Sequence, residues 1–207
     1  MTKGQQQLVS VVIIIVIALG TIILVLPWTL TMVQKKKDMG TLDVVYNFFQ
    51  KLVETIKYVE KHQGEESLIL DPKKAPGKFT VYPESYPGEN NNSIIFEFKS
   101  KVSNVAAGDW IPLNTPNTNL TATLGIDPPS VISSRAERSG DDLDLWFKIL
   151  FRELDDQSGH GYIIVLNTTD NTPKSTTTGF LRIQWLKSRD IQVAGKTLTI
   201  TEINILV

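Results

Sequence analysis

The chain has no cysteine and only two histidines, His62 and His160. Without thiols there is no disulfide, no thiolate metal site and no cysteine nucleophile, so core packing alone must hold the fold. Neither sign of charge is in excess: 21 Lys and Arg stand against 22 Asp and Glu. That balance leaves no basic footprint for nucleic acid. A glycine-rich phosphate loop and a Gly-x-Ser-x-Gly elbow are both missing. His62 falls near a helix end, where an imidazolium is favourable. His160 sits between Gly159 and Gly161 and reads as an exposed hairpin-loop residue. Asp155 and Asp156, like Asp141, Asp142 and Asp144, lack the alternating oxygen spacing of a calcium loop and read as solvated turns. The expectation is a non-enzymatic protein with no catalytic, cofactor or metal site and no small-molecule substrate.

What is present in excess is one apolar run. From Leu8 to Val33 there is no charged residue. As a helix these about 26 residues reach roughly 39 Å, enough to span a bilayer with some tilt. A globular helix needs a polar face, and this one has none. Ser10, Thr21, Thr29 and Thr31 are tolerable because hydroxyls can bond back to the helix backbone. Pro27 is expected to kink the segment near its end. The run is too long for a secretory signal and precedes no small-x-small site, so it is expected to stay in the mature protein.

Beyond Lys35, Lys36 and Lys37 the pattern turns amphipathic. Leu42, Val45, Phe49, Leu52, Ile56 and Val59 are spaced 3, 4, 3, 4 and 3, a helical stripe with Lys51, Glu54, Lys57 and Glu60 off it. The stripe is expected to pack on the protein's own domain. Thr41 or Asp43 would cap a restart if Gly40 breaks the helix, and Gly64 is a natural stop.

From Glu65 onward β-branched and aromatic residues alternate with turn signals. Ile94, Phe96 and Phe98 face one way; Ile95, Glu97 and Lys99 face the other. Residues 142–154 fit a helix or a strand, and the strand is preferred because residues 155–161 then form a hairpin into "YIIVLN". A phase reversal near Glu202 suggests a bulge. Pro76-Gly77, Pro87-Gly88 and Ala194-Gly195 mark turns, and Asn114 to Thr123 and Asn167 to Thr178 read as long loops. The fold class is therefore α+β: a long N-terminal helix, transmembrane at about 8–33 and then amphipathic, followed by an all-β sandwich-like head at 64–207. Asn91, Asn119 and Asn167 each begin an Asn-x-Ser/Thr acceptor in or beside a loop.

Lys3-Gly4-Gln5 directly ahead of an uninterrupted apolar helix resembles the class III signal of archaeal type IV pilin-like proteins and archaellins. The resemblance implies that a prepilin-type peptidase cuts after Gly4. Residues 1–4 would be the leader, Lys3 its basic residue, and Gln5 the new N-terminus of a helix running over 5–63. It further implies membrane insertion followed by assembly with itself or other pilin-like subunits, with Gly20 and Pro27 in helix packing. Val9 stands where many pilins carry a glutamate, which excludes a charge-paired register; archaellins lack that acid too. Three lysines after the span against Lys3 before it would place the following domain in the cytoplasm. The short leader, the Thr/Asn-rich β composition and the loop acceptors place it outside, and that orientation is adopted. The expected function is a subunit of a cell-surface type IV pilus-like filament. The alternative is a monomeric membrane-anchored binding protein of the cell envelope, resembling an archaellum stator component.

Overall fold

The computed structural model describes residues 3–101, 107–115, 121–140 and 142–207. Among the described residues one helix, α1 (Lys3–His62), precedes twelve strands. These are β1 (Glu65–Ile69), β2 (Lys78–Tyr82), β3 (Ser93–Ser100), β4 (Ile111–Pro112), β5 (Thr121–Thr123) and β6 (Ser130–Ser139). They continue with β7 (Asp142–Phe151), β8 (Glu153–Asp155), β9 (Gly161–Asn167), β10 (Lys174–Thr176), β11 (Phe180–Val193) and β12 (Lys196–Leu206). The protein is α+β, with a β-sandwich head. The chain divides into two compact units, residues 1–40 and 41–207. The head unit therefore begins at Thr41 rather than at Gly64, because the amphipathic half of α1 is part of its core.

Two six-stranded sheets build the head: β1-β11-β12-β9-β8-β5 and β10-β2-β3-β7-β6-β4. Most pairs are antiparallel, but β9 runs parallel to β12 and β5 parallel to β8. The expected stripe lies in the core: Val45, Phe49, Leu52, Ile56 and Val59 are fully enclosed, and Leu42 is buried. They join Phe79, Val81, Ile94, Phe96, Phe147 and Ile149 of one sheet and Ile164, Leu166, Leu181, Ile183, Ile203 and Ile205 of the other in one continuous cluster. The alternation in β3 is as read: Ile94, Phe96 and Phe98 face this core, while Glu97 and Lys99 are exposed.

Several local expectations are corrected. Gly40 and Thr41 are both helical, so no capped restart occurs; the Thr41 hydroxyl donates to the Lys74 carbonyl at 3.2 Å. The helix ends at His62, two residues before its expected glycine. Gln63 takes the left-handed position at φ 54°, and the Gly64 N–H reaches the Val59 carbonyl at 3.4 Å. A side chain in that conformation is strained relative to glycine. Gln63→Gly is expected to raise head stability by about 0.5–1 kcal/mol, read as a higher urea midpoint at an unchanged slope.

The expected bulge in β12 is not there. Thr201, Ile203 and Ile205 share the inner face in one phase, and β12 pairs with β9 without interruption. The extra residue is Leu186 in the partner strand: Trp185 pairs with Ile203, and Lys187 with Glu202. The threonines misled because they line the inner face as the apolar residues do. Residues 142–154 are strand, as read, but two strands in different sheets, with Arg152 at the crossing. The expected hairpin then joins β8 to β9. Ala194-Gly195 forms the two-residue turn of β11–β12, both residues at positive φ. β6 escaped the sequence reading because its inner positions include Ser134 and Ala136 instead of large apolar residues. The loop over 167–178 contains β10.

Candidate functional site

The feature that departs most from a globular protein is the first part of α1. Every side chain from Val11 to Val33 is exposed, including Ile15, Ile23, Leu24 and Trp28. Among the described residues this is the one helix long and apolar enough to cross a membrane. Its hydroxyls are satisfied within the helix: Thr21 donates to the Ala18 carbonyl at 2.8 Å, Thr29 to Val25 at 3.0 Å and Thr31 to Pro27 at 2.9 Å. Such back-bonding lets hydroxyls sit in a segment that lacks water. Pro27 lies inside the helix and brings no N–H, which leaves the Ile23 carbonyl without its usual partner. Lys35, Lys36 and Lys37 follow, all exposed.

Lys3, Gly4 and Gln5 fall in the first turn of α1. Gly20 stands in the middle of the exposed segment, with nothing within 4 Å of where a Cβ would lie. A methyl group there would therefore lie in open space.

The three asparagine acceptors have different surroundings. Asn91 is exposed in the turn between β2 and β3. Asn119 lies outside the described residues. Asn167 is the last residue of β9, half-buried, and its amide nitrogen donates to Glu202 at 3.1 Å. That nitrogen is the atom a glycan would need.

The remaining polar groups stabilise turns. His160, expected in solvent, is part-buried: it stacks on Tyr162 and its Nε2 lies 2.8 Å from the Thr199 hydroxyl. Thr199 in turn donates to Asp190 at 2.6 Å. Asp156 accepts from the Ser158 hydroxyl and from the backbone N–H groups of Ser158 and His160, which together draw its carboxyl below the ordinary value. Asp155 and Glu153 clamp the Lys196 ammonium, raising its pKa. His62 closes the helix end, its Nδ1 2.9 Å from the Tyr58 carbonyl and its ring stacked on Tyr58. Among the described residues no group of three His, Asp or Glu side chains is placed to hold a metal. No family model, curated protein or solved structure matches the chain.

One loop has a measurable electrostatic signature. Asp170 accepts from the Lys174 ammonium at 2.8 Å and from the Thr172 hydroxyl at 2.6 Å, and its carboxyl is lowered from 3.8 to about 2. Because the folded value lies below the ordinary one, the loop is favoured above the ordinary carboxylate range and loses that preference as pH falls through about 2. A carboxyl-carbon NMR titration should place the Asp170 midpoint near 2, and Lys174→Met should move it upward.

Proposed function

We propose that the protein is a membrane-inserted, pilin-like structural subunit of a cell-surface filament, with its β head outside and no catalytic role. The observation that carries this reading is the charge-free, fully exposed helical segment Val11–Val33, set behind Lys3-Gly4-Gln5 and continued by an amphipathic stretch built into the head core. A prepilin-type peptidase would release residues 1–4 and leave Gln5 at the N-terminus. In a bilayer the segment gains little from meeting other helices, because lipid tails are as apolar as leucine. The gain comes on leaving the bilayer, when helices must shield one another from water. With Val9 in place of an acid, register then rests on shape, at Gly20 and Pro27, and on the amides of Gln5 to Gln7.

The test combines N-terminal sequencing of native protein with electron microscopy of sheared cell-surface material. Expected are a chain beginning at Gln5, filaments, and Gly4→Val protein that keeps its leader. Gly20→Leu should reduce assembly without disturbing the head, since Gly20 lies outside the head unit and a Cβ there meets nothing within 4 Å. Processed protein found only as monomer, in wild type and Gly20→Leu alike, would reject the filament. It would favour the envelope-tethered binding protein, a reading supported by the same anchor and head.

A further inference from the structure

The head holds a cavity of about 740 Å³, within the roughly 300–1,000 Å³ typical of small-molecule sites. Three parts of the head line it, together with Asn114. The last turns of α1 contribute Lys57, Glu60 and Lys61. The inner face of β8, β9 and β12 contributes Leu154, Tyr162, Ile164, Thr199 and Thr201. The third part is the segment from Leu124 to Pro129.

That third segment is firmly held. The wholly buried Arg152 donates from Nε to the Pro128 carbonyl at 2.9 Å and pairs with Asp127 at 3.7 Å, while its backbone N–H reaches the Pro129 carbonyl at 3.0 Å. Asp127 also accepts from the Thr123 N–H at 3.3 Å, and the Leu124 N–H donates to the Asp155 carbonyl at 2.8 Å. Burying a guanidinium is costly unless its partners are well placed. Here it shapes a wall whose apolar side chains, Leu124 and Ile126, remain exposed. The Asp127 charge is compensated by Arg152. Burial raises the pKa of Glu60, the largest effect on it, and Lys57 opposes that rise. Beyond the Asp127–Arg152 pair, two cations, Lys57 and Lys61, thus stand on this cavity against one carboxylate, Glu60.

We infer that this cavity binds a single-chain amphipathic anion, a carboxylate or phosphate monoester on a short apolar tail. The tail lies among Leu124, Ile126, Leu154 and Ile164, and the acidic head lies at Lys57 and Lys61. The site is independent of filament formation, so the failure of either reading leaves the other standing.

The full chain in phosphatidylcholine nanodiscs is titrated with octyl phosphate, and leucine and isoleucine methyl NMR signals are followed. Saturable shifts at Leu124, Leu154 and Ile164 are expected. Lys57→Gln with Lys61→Gln should weaken binding about tenfold while the remaining methyl spectrum is retained. Inorganic phosphate should shift these methyls far less, for want of a tail. The same shifts in nanodiscs containing phosphatidylglycerol, without added probe, would identify the bilayer as a source of the anion. Equal shifts from octyltrimethylammonium, or an unchanged affinity in the double variant, overturn the inference. So do shifts that follow protein concentration instead of probe, because they put a second copy in the cavity.

Discussion

Phe49→Ala is expected to lower the stability of the head by about 3–5 kcal/mol. Phe49 has no exposed surface, and its ring lies 6.2 Å from Phe79 of β2, 5.8 Å from Phe147 of β7 and 6.5 Å from Phe48. Truncation removes the transfer energy of the ring and leaves a cavity among residues fixed by two strands and the helix. Phe49→Leu should cost less, because it keeps much of the volume. Leu24→Ala, in the exposed apolar segment, should leave the head's unfolding midpoint unchanged. The measurement is urea unfolding of the full chain in detergent, followed by tryptophan fluorescence. A loss below about 1 kcal/mol for Phe49→Ala would be incompatible with a fully buried ring.

Asn92→Ala should be comparably damaging, by about 3–6 kcal/mol, for a different reason. Asn92 is buried beside β3 in a left-handed conformation, φ 51°. Its side-chain amide donates to the Ile164 carbonyl at 2.8 Å and its oxygen accepts from the Leu166 N–H at 2.7 Å. Both partners belong to β9, in the other sheet. Its own carbonyl accepts from the Phe151 N–H at 3.3 Å. One side chain thus supplies the edge of β9 with the two bonds a neighbouring strand would make. Alanine leaves both backbone groups buried without partners, and adds a Cβ penalty at positive φ. Asn92→Gly separates the two costs: it loses the same hydrogen bonds but not the backbone preference, and should recover about 1 kcal/mol relative to alanine. Equal midpoints for glycine and alanine would contradict the conformational part. A near-native midpoint for both would contradict the bridge.

These two residues differ in how visible they were beforehand. Phe49 lies on a stripe whose period is a local property of the chain, and a helix places residues three and four apart on one face whatever surrounds it. Asn92 sits within Asn90-Asn91-Asn92, where three identical side chains follow a Pro-Gly turn. Only Asn92 turns inward, and nothing local distinguishes it from Asn91, the acceptor left in solvent. The same holds for Arg152. Its sequence neighbours place it at the end of a strand, yet it is enclosed because the chain changes sheets there and Pro128 and Pro129 fold over it. The cavity lined by Lys57, Lys61 and Thr199 joins residues far apart in the chain, and no spacing could announce it.

The sequence by itself determined the charge-free apolar helix, the amphipathic stripe behind it, the alternation of β3 and the tight turn at Ala194-Gly195. Each follows from backbone geometry acting over a few residues, where side-chain period and turn chemistry suffice. Only the tertiary structure decided that β9 runs parallel to β12, that the bulge belongs to Leu186 instead of Glu202, and that the serine-bearing β6 is a full strand. Strand partners are chosen by the fit of whole faces across the core, and a threonine or serine joins the inner face whenever its neighbours cover it. That choice depends on residues distant in the chain, which no local pattern records.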